Sequence, residues 1–153
     1  MERICCFYAS DEHLLSILLP YINEKTKENQ NVVTILEKNI GKSVGNFKKF
    51  LKFSKEDWKK IDNILNEKNV LKKIDTTNIV ILAGSENFVK MESNKLKDKE
   101  TLICCYNFMQ TTKNIENILS ENDKILSTVG EQDISKMFTE IPNKSYKEIT
   151  ILK

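Results

Sequence analysis

Four short runs, RICCFYA (Arg3 to Ala9), NVVTIL (Asn31 to Leu36), NIVILA (Asn78 to Ala83) and TLICCYN (Thr101 to Asn107), are apolar at nearly every consecutive position. A strand sends alternate side chains to opposite faces, so a run of this kind has to be buried on both. The runs are too short for buried helices and are bounded by polar residues, which makes them strands of a covered sheet, the two cysteine-bearing ones central. Between them the apolar spacing changes to the helical period. Ser10 can cap a helix carrying Leu14, Ile17, Leu18, Tyr21 and Ile22 on one face, and Pro20 inside that pattern predicts a kink or an early end.

Val44, Phe47, Phe50 and Leu51 give a second helical stretch. The SKED segment, Ser54 to Asp57, resembles a capping box ahead of Trp58, Ile61, Ile64 and Leu65. Gly84 and Ser85 turn the third run into a helix carrying Phe88, Met91 and Leu96, and Ile115, Ile118 and Leu119 mark another after the fourth. KILSTV predicts a fifth strand, Asp133 to Ile141 a short helix, and YKEITILK a last strand. Strands separated by helices give an α/β fold: a single domain with a mostly parallel sheet of five or six strands and helices on both faces. A length of 153 residues fits one such domain with a core of its own.

All four cysteines sit in two vicinal pairs, Cys5-Cys6 and Cys104-Cys105, in two of the strand runs. Neighbours in a strand face opposite ways, so neither pair can present both thiols to one side. If the two strands are adjacent, the sheet offers one cross-strand thiol pair per face, and four thiolates cannot converge on one metal. Zinc ribbons also use CxxC pairs on turns, which this chain lacks. Compact buried packing is the expected use of these side chains.

The charge balance is nearly even, at a net +2, and every basic residue but Arg3 is lysine. Arginine is the preferred bidentate reader of phosphates and bases, so no nucleic-acid partner is expected. The basic stretch from Lys48 to Lys60 reads as a solvated helix face. The aromatics Phe47, Phe50, Phe53 and Trp58 read as core, and would mark an interface if exposed. No segment is long and apolar enough to span a bilayer, and no signal peptide opens the chain, so a cytoplasmic location without a membrane partner is expected.

Ligands of open parallel sheets gather beyond the carboxyl ends of the strands. The candidate ligand-binding residues at those ends are Tyr8, His13, Glu37, Ser85, Tyr106 and Asn107. No catalytic set, metal site or cofactor is expected: His13 is the only histidine, and no GxSxG or HExxH pattern occurs. Gly41-Lys42-Ser43 imitates the end of a phosphate loop, but the required glycine five positions earlier is Leu36. Gly84-Ser85 is a second candidate phosphate turn. A nucleotide- or phosphate-handling enzyme with a degenerate phosphate loop is therefore the alternative to a binding domain.

The segment ICCFYASDEHLLSILLPYINEKTKENQNVVTIL, with LLPYI from Leu18 to Ile22, resembles the start of MEDS-type sensory domains. The later segments TLICCYNFMQ and NIENILSENDKILSTVG are similar to the same family's late strand, helix and terminal strand. The resemblance covers the chain up to Asn39 and from Asn78 to Gly130. It implies a KaiC- or RecA-like sheet without its nucleotide-binding loop, serving as a non-catalytic sensory or regulatory input. The partners it implies are a small ligand or a regulatory protein; apart from the resemblance, a homodimer is left open.

Overall fold

The computed structural model describes residues 2–66, 77–96, 100–111 and 115–136. Each of the four apolar runs forms a strand: β1 (Glu2–Tyr8), β2 (Val32–Leu36), β3 (Ile79–Gly84) and β4 (Thr101–Asn107). Strand β5 (Lys124–Ser127) follows, and β6 (Gly130–Asp133) completes a six-stranded sheet of order β2-β3-β4-β1-β5-β6. The first five strands are parallel, and β6 turns back antiparallel to β5.

The helices fall on both faces, as the apolar periodicity requires. Helices α1 (Asp11–Lys27) and α3 (Lys55–Leu65), with the short α2 (Val44–Phe47) between them, cover the face that carries Ile4, Cys6 and Tyr8. Helices α4 (Glu86–Asn94) and α5 (Ile115–Ser120) cover the other face, where Cys5, Phe7, Leu82 and Cys104 meet Val89, Ile118 and Leu119. The three expected caps form. Ser10 Oγ accepts from His13 N, Ser54 Oγ from Asp57 N and Ser85 Oγ from Phe88 N. Each satisfies one of the amide donors that a helix leaves open at its start. Among the described residues no helix is long and apolar enough to cross a membrane.

Three local expectations are corrected. Helix α1 does not stop at Pro20; it runs on to Lys27. Pro20 is exposed while Leu19, Tyr21 and Ile22 on either side are buried, so packing of the apolar face outweighs one missing amide donor. The second helical stretch closes at Phe47, and Phe50 and Leu51 continue it only as turns. Residues 130–133 form a strand that was not expected, and the helix expected from Asp133 begins one residue later, at Ile134. Gly130, at φ +96°, closes a tight turn after Ser127, and the polar Glu131, Gln132 and Asp133 then pair with the edge of β5. A polar outer strand is a common end to a sheet, because it discourages pairing with other chains. Most of the helix expected from Asp133 to Ile141, and the YKEITILK strand, lie outside the described residues.

The sheet is centred on β1 and β4, which pair in register over their whole length. Cys5 lies opposite Cys104 and Cys6 opposite Cys105, one thiol pair on each face, all four buried and free. The neighbouring strands extend both rows: Leu82, Cys104, Cys5 and Ile125 on one face, Ala83, Cys105, Cys6 and Leu126 on the other. Burial pushes the Cys104 thiol up to about 11, and it also pushes the Cys5 and Cys105 thiols well above the ordinary range. These are packed, protonated thiols, not nucleophiles.

This predicts a specific alkaline instability. Between pH 9.0, the ordinary thiol value, and about 11, the unfolded chain has released the Cys104 proton that the native state still holds. Stability is therefore full below the lower value and falls as pH rises through the window, by roughly 3 kcal/mol for this thiol alone. Urea midpoints measured across that window should fall for the native sequence and fall less for Cys104→Ala. Alkylation of all four thiols should be slow at neutral pH until denaturant is added. Rapid labelling of the folded chain would refute the packing assignment.

Candidate functional site

The order of the strands decides where a site can form. The connection after β1 passes over the face covered by α1 toward the far edge at β2, whereas α5, which follows β4, lies on the opposite face on the way to β5. The two loops thus leave neighbouring strand ends in opposite directions and open a crevice, the usual ligand position in sheets of this kind. A cavity of about 320 Å³ lies at these strand ends. Leu14, Leu36, Ile40 and Ala83 supply its apolar lining, and Tyr8, Asp11, Glu37, Lys38, Asn107 and Gln110 supply its polar groups.

Of the six residues selected from the sequence, Tyr8, Glu37 and Asn107 line this cavity. Tyr8 and Asn107 are register partners at the ends of β1 and β4. Burial holds the Tyr8 phenol well above its ordinary value, with nearby Cys105, Asp11, Cys6 and Glu37 adding to the effect. Tyr8 therefore offers a neutral hydroxyl, able to donate and to accept. Asn107 Oδ1 accepts from Met109 N at 3.0 Å, which fixes the turn out of β4.

The other three lie elsewhere. Ser85 stands behind the cavity as the cap of α4. His13 braces the turn between β1 and α1, its Nδ1 accepting from Ala9 N at 2.9 Å. Tyr106 points to the opposite face and stacks on Phe7 with ring centroids 5.7 Å apart. Strand alternation requires this: if Asn107 faces the crevice with Tyr8, its neighbour cannot.

Glu37 and Lys38 hold the rim together. Glu37 Oε1 accepts from Ser85 N at 2.8 Å, and Glu37 Oε2 accepts from Ser85 Oγ at 3.3 Å. The same hydroxyl accepts from Phe88 N, so one carboxylate is wired into the first turn of α4. It occupies the position where a helix N-terminus would otherwise receive an anion. Gly84 makes this approach possible. A Cβ there would lie 2.7 Å from Glu37 Cβ, from Glu37 Oε1 and from Phe88 Cδ1. The next residue, Lys38, reaches the other way, with its Nζ 2.9 Å from Asp11 Oδ2 on α1. That hydrogen bond raises the Lys38 ammonium above its ordinary value.

Lys38 was absent from the residues selected in the sequence. Its signal was its place just beyond the carboxyl end of β2, where ligands of such sheets gather. Gly41-Lys42-Ser43 forms a single tight turn, in which Gly41 N donates to Asn39 Oδ1 and Ser43 N donates to Ile40 O. Those amides are used within the turn and do not form an open cradle. Among the described residues, no three metal-ligating side chains converge. No family model, curated protein or solved structure matches the chain.

The packing at Gly84 is directly testable. Gly84→Ala has to push Glu37 or Phe88 aside and should destabilise the fold by about 1–3 kcal/mol in urea unfolding. Gly45→Ala, in α2 with nothing within 4 Å of the added carbon, should be neutral or stabilising by about 0.5–1 kcal/mol. Equal effects of the two substitutions would contradict the seating of Glu37.

Proposed function

We propose that this chain is a non-catalytic regulatory domain that binds a small polar ligand in the crevice at the carboxyl ends of β1 to β4. The observation that carries this reading is the pairing of the rim's charged groups with the protein itself. Glu37 is engaged by Ser85 and Asp11 by Lys38, and the Tyr8 phenol stays protonated. Such a rim has no free base or nucleophile to offer a reaction, but it has hydroxyl, amide and carboxylate groups with which to recognise a guest.

The charges favour a neutral or cationic ligand. Two carboxylates and one ammonium line the cavity, and the α4 N-terminus is already occupied by Glu37. Both features weigh against a phosphate there, and so against the nucleotide-handling alternative. The resemblance of the outer segments to sensory domains accords with the same reading.

The rim also supplies a way for occupancy to be transmitted. Glu37 and Lys38 are adjacent, yet one is tied to α4 and the other to α1, on opposite faces of the sheet. A guest that competes for either carboxylate loosens one of these ties and alters how the two helical layers are held. The readout would then be a surface of α1 or α4 offered to a regulatory protein.

A thermal-shift panel of arginine, agmatine, glutamine, nucleosides and Mg-ATP tests the proposal. A ligand at about a hundred times its Kd adds about 2.7 kcal/mol, which raises Tm by roughly 5–10 °C in a domain of this size. A neutral or cationic compound should give such a shift, Asp11→Asn or Glu37→Gln should abolish or sharply reduce it, and Mg-ATP should give none. A shift with Mg-ATP that Lys42→Ala removes would overturn the proposal in favour of an enzyme. It would equally fail if no compound shifts Tm and the protein purified from its own host carries no added mass in native mass spectrometry.

A further inference from the structure

The segment after α2 exposes a large aromatic side chain among many lysines. Its backbone is pinned by hydrogen bonds from Lys48 N to Val44 O, and from Phe50 N and Leu51 N to Phe47 O. Leu51 and Phe53 turn inward against the core, and Phe53 packs on Trp58 at 5.0 Å between centroids. Phe50 is left pointing outward with 78% of its surface exposed. Leaving a phenyl ring in water is costly, and here a hydrogen-bonded turn holds it there.

Lysines are dense in the same segment. Lys49 and Lys52 flank the ring in sequence, and Lys48, Lys55 and Lys59 line a shallow trough of about 490 Å³ beside Trp58. The local acids are partly neutralised: Asp62 by Lys48 at 3.0 Å and Asp57 by Lys27 at 3.6 Å. Lys49, Lys52, Lys55 and Lys59 form no ion pair among the described residues. From Lys42 to Lys60 seven lysines face only Glu56 and Asp57, although the whole chain is nearly balanced at +2.

We propose that this surface docks on an anionic lipid membrane, with Phe50 inserted among the headgroups and the lysines lying against lipid phosphates and carboxylates. The chemistry selects this partner over a protein. Lysine is a hydrated point charge suited to a diffuse negative surface, whereas arginine is the residue of bidentate contacts and protein hot spots, and none is present here. One fixed aromatic ring with a basic surround matches an interfacial anchor, which lies on a bilayer and spans nothing. Docking of this kind is reversible, because a single ring and a few lysines give only marginal binding, and it weakens with salt.

Co-sedimentation of the full chain with vesicles tests the proposal, comparing phosphatidylcholine alone with a phosphatidylcholine–phosphatidylserine mixture. Binding should require phosphatidylserine and fall as KCl is raised. Each lysine changed to alanine among Lys49, Lys52 and Lys55 should weaken it roughly fivefold. Phe50→Ser should weaken it several-fold while leaving the melting temperature unchanged, since most of the ring is exposed. No binding, equal binding to both vesicle types, or indifference to these substitutions would overturn the proposal. A concentration-dependent dimer lost in Phe50→Ser would overturn it too, by assigning the surface to a second copy of the chain.

Discussion

The in-register pairing of β1 with β4 is the contact on which the rest of the structure depends. Both strands are buried on both faces, and between them they join the β2-β3 side of the sheet to the β5-β6 side. Parallel strands stand close to 4.8 Å apart, so register partners touch all along the ladder. Two thiols facing each other on each side fill that width with compact apolar volume. They leave room for the large side chains of α1, Leu15, Leu18 and Leu19, all fully buried on one face. Serine there would carry a hydroxyl with uncertain partners into the core, and alanine would leave a void. The repeated Ile-Cys-Cys tripeptide is thus explained by symmetry of environment: two adjacent central strands meet the same packing problem and carry the same answer.

That pairing also places the cavity. Because β1 and β4 are neighbours whose following helices lie on opposite faces, their carboxyl ends separate into a crevice without any special loop. The β2 and β3 ends then close one side of it, with Glu37 reaching across to Ser85 and Lys38 back to Asp11. Two consecutive residues with opposite charges thereby bind elements from opposite layers. A carboxylate on a helix N-terminus is favourable in its own right, and a bidentate contact through an amide and a hydroxyl fixes its direction. The site is preorganised by interactions that its guest would have to exploit or replace.

The sheet was legible in the sequence for a simple reason. Runs buried on both faces leave an unbroken apolar signature, and the four strands β1 to β4 were found to within a residue or two at their ends. Helix starts at Ser10, Ser54 and Ser85 were legible because a capping hydroxyl is a local device. What escaped were features decided by distant contacts. The polar strand Gly130–Asp133 has no pattern of its own and exists because β5 offers a free edge. Helix α1 continues through Pro20 because the core holds the turns on either side. Within the site, Tyr8 and Asn107 were found from their position at strand ends, but choosing between Tyr106 and Asn107 required knowing that β1 and β4 are neighbours in this register. Once that is known, parity alone sends Tyr106 to the other face.

The crevice and the lysine-rich surface use charge in opposite ways. In the crevice, charges are few, close and partly shielded, so a guest is discriminated by which hydrogen bonds it can replace. On the α2–α3 surface the lysines are exposed and on flexible stems, and apart from Lys48 with Asp62 they are little paired, so they act as a sum over a Debye length and recognise only sign and density. On the proposed readings, the first arrangement would give specificity for a small molecule, and the second location without specificity. Both are anchored to the same layer of helices, through Asp11 on α1 and through α3 packed beside it. A change in how Lys38 holds α1 is therefore mechanically adjacent to the lysine-rich surface proposed to dock on a membrane. That adjacency needs no long-range pathway, only two packed helices on one face of the sheet.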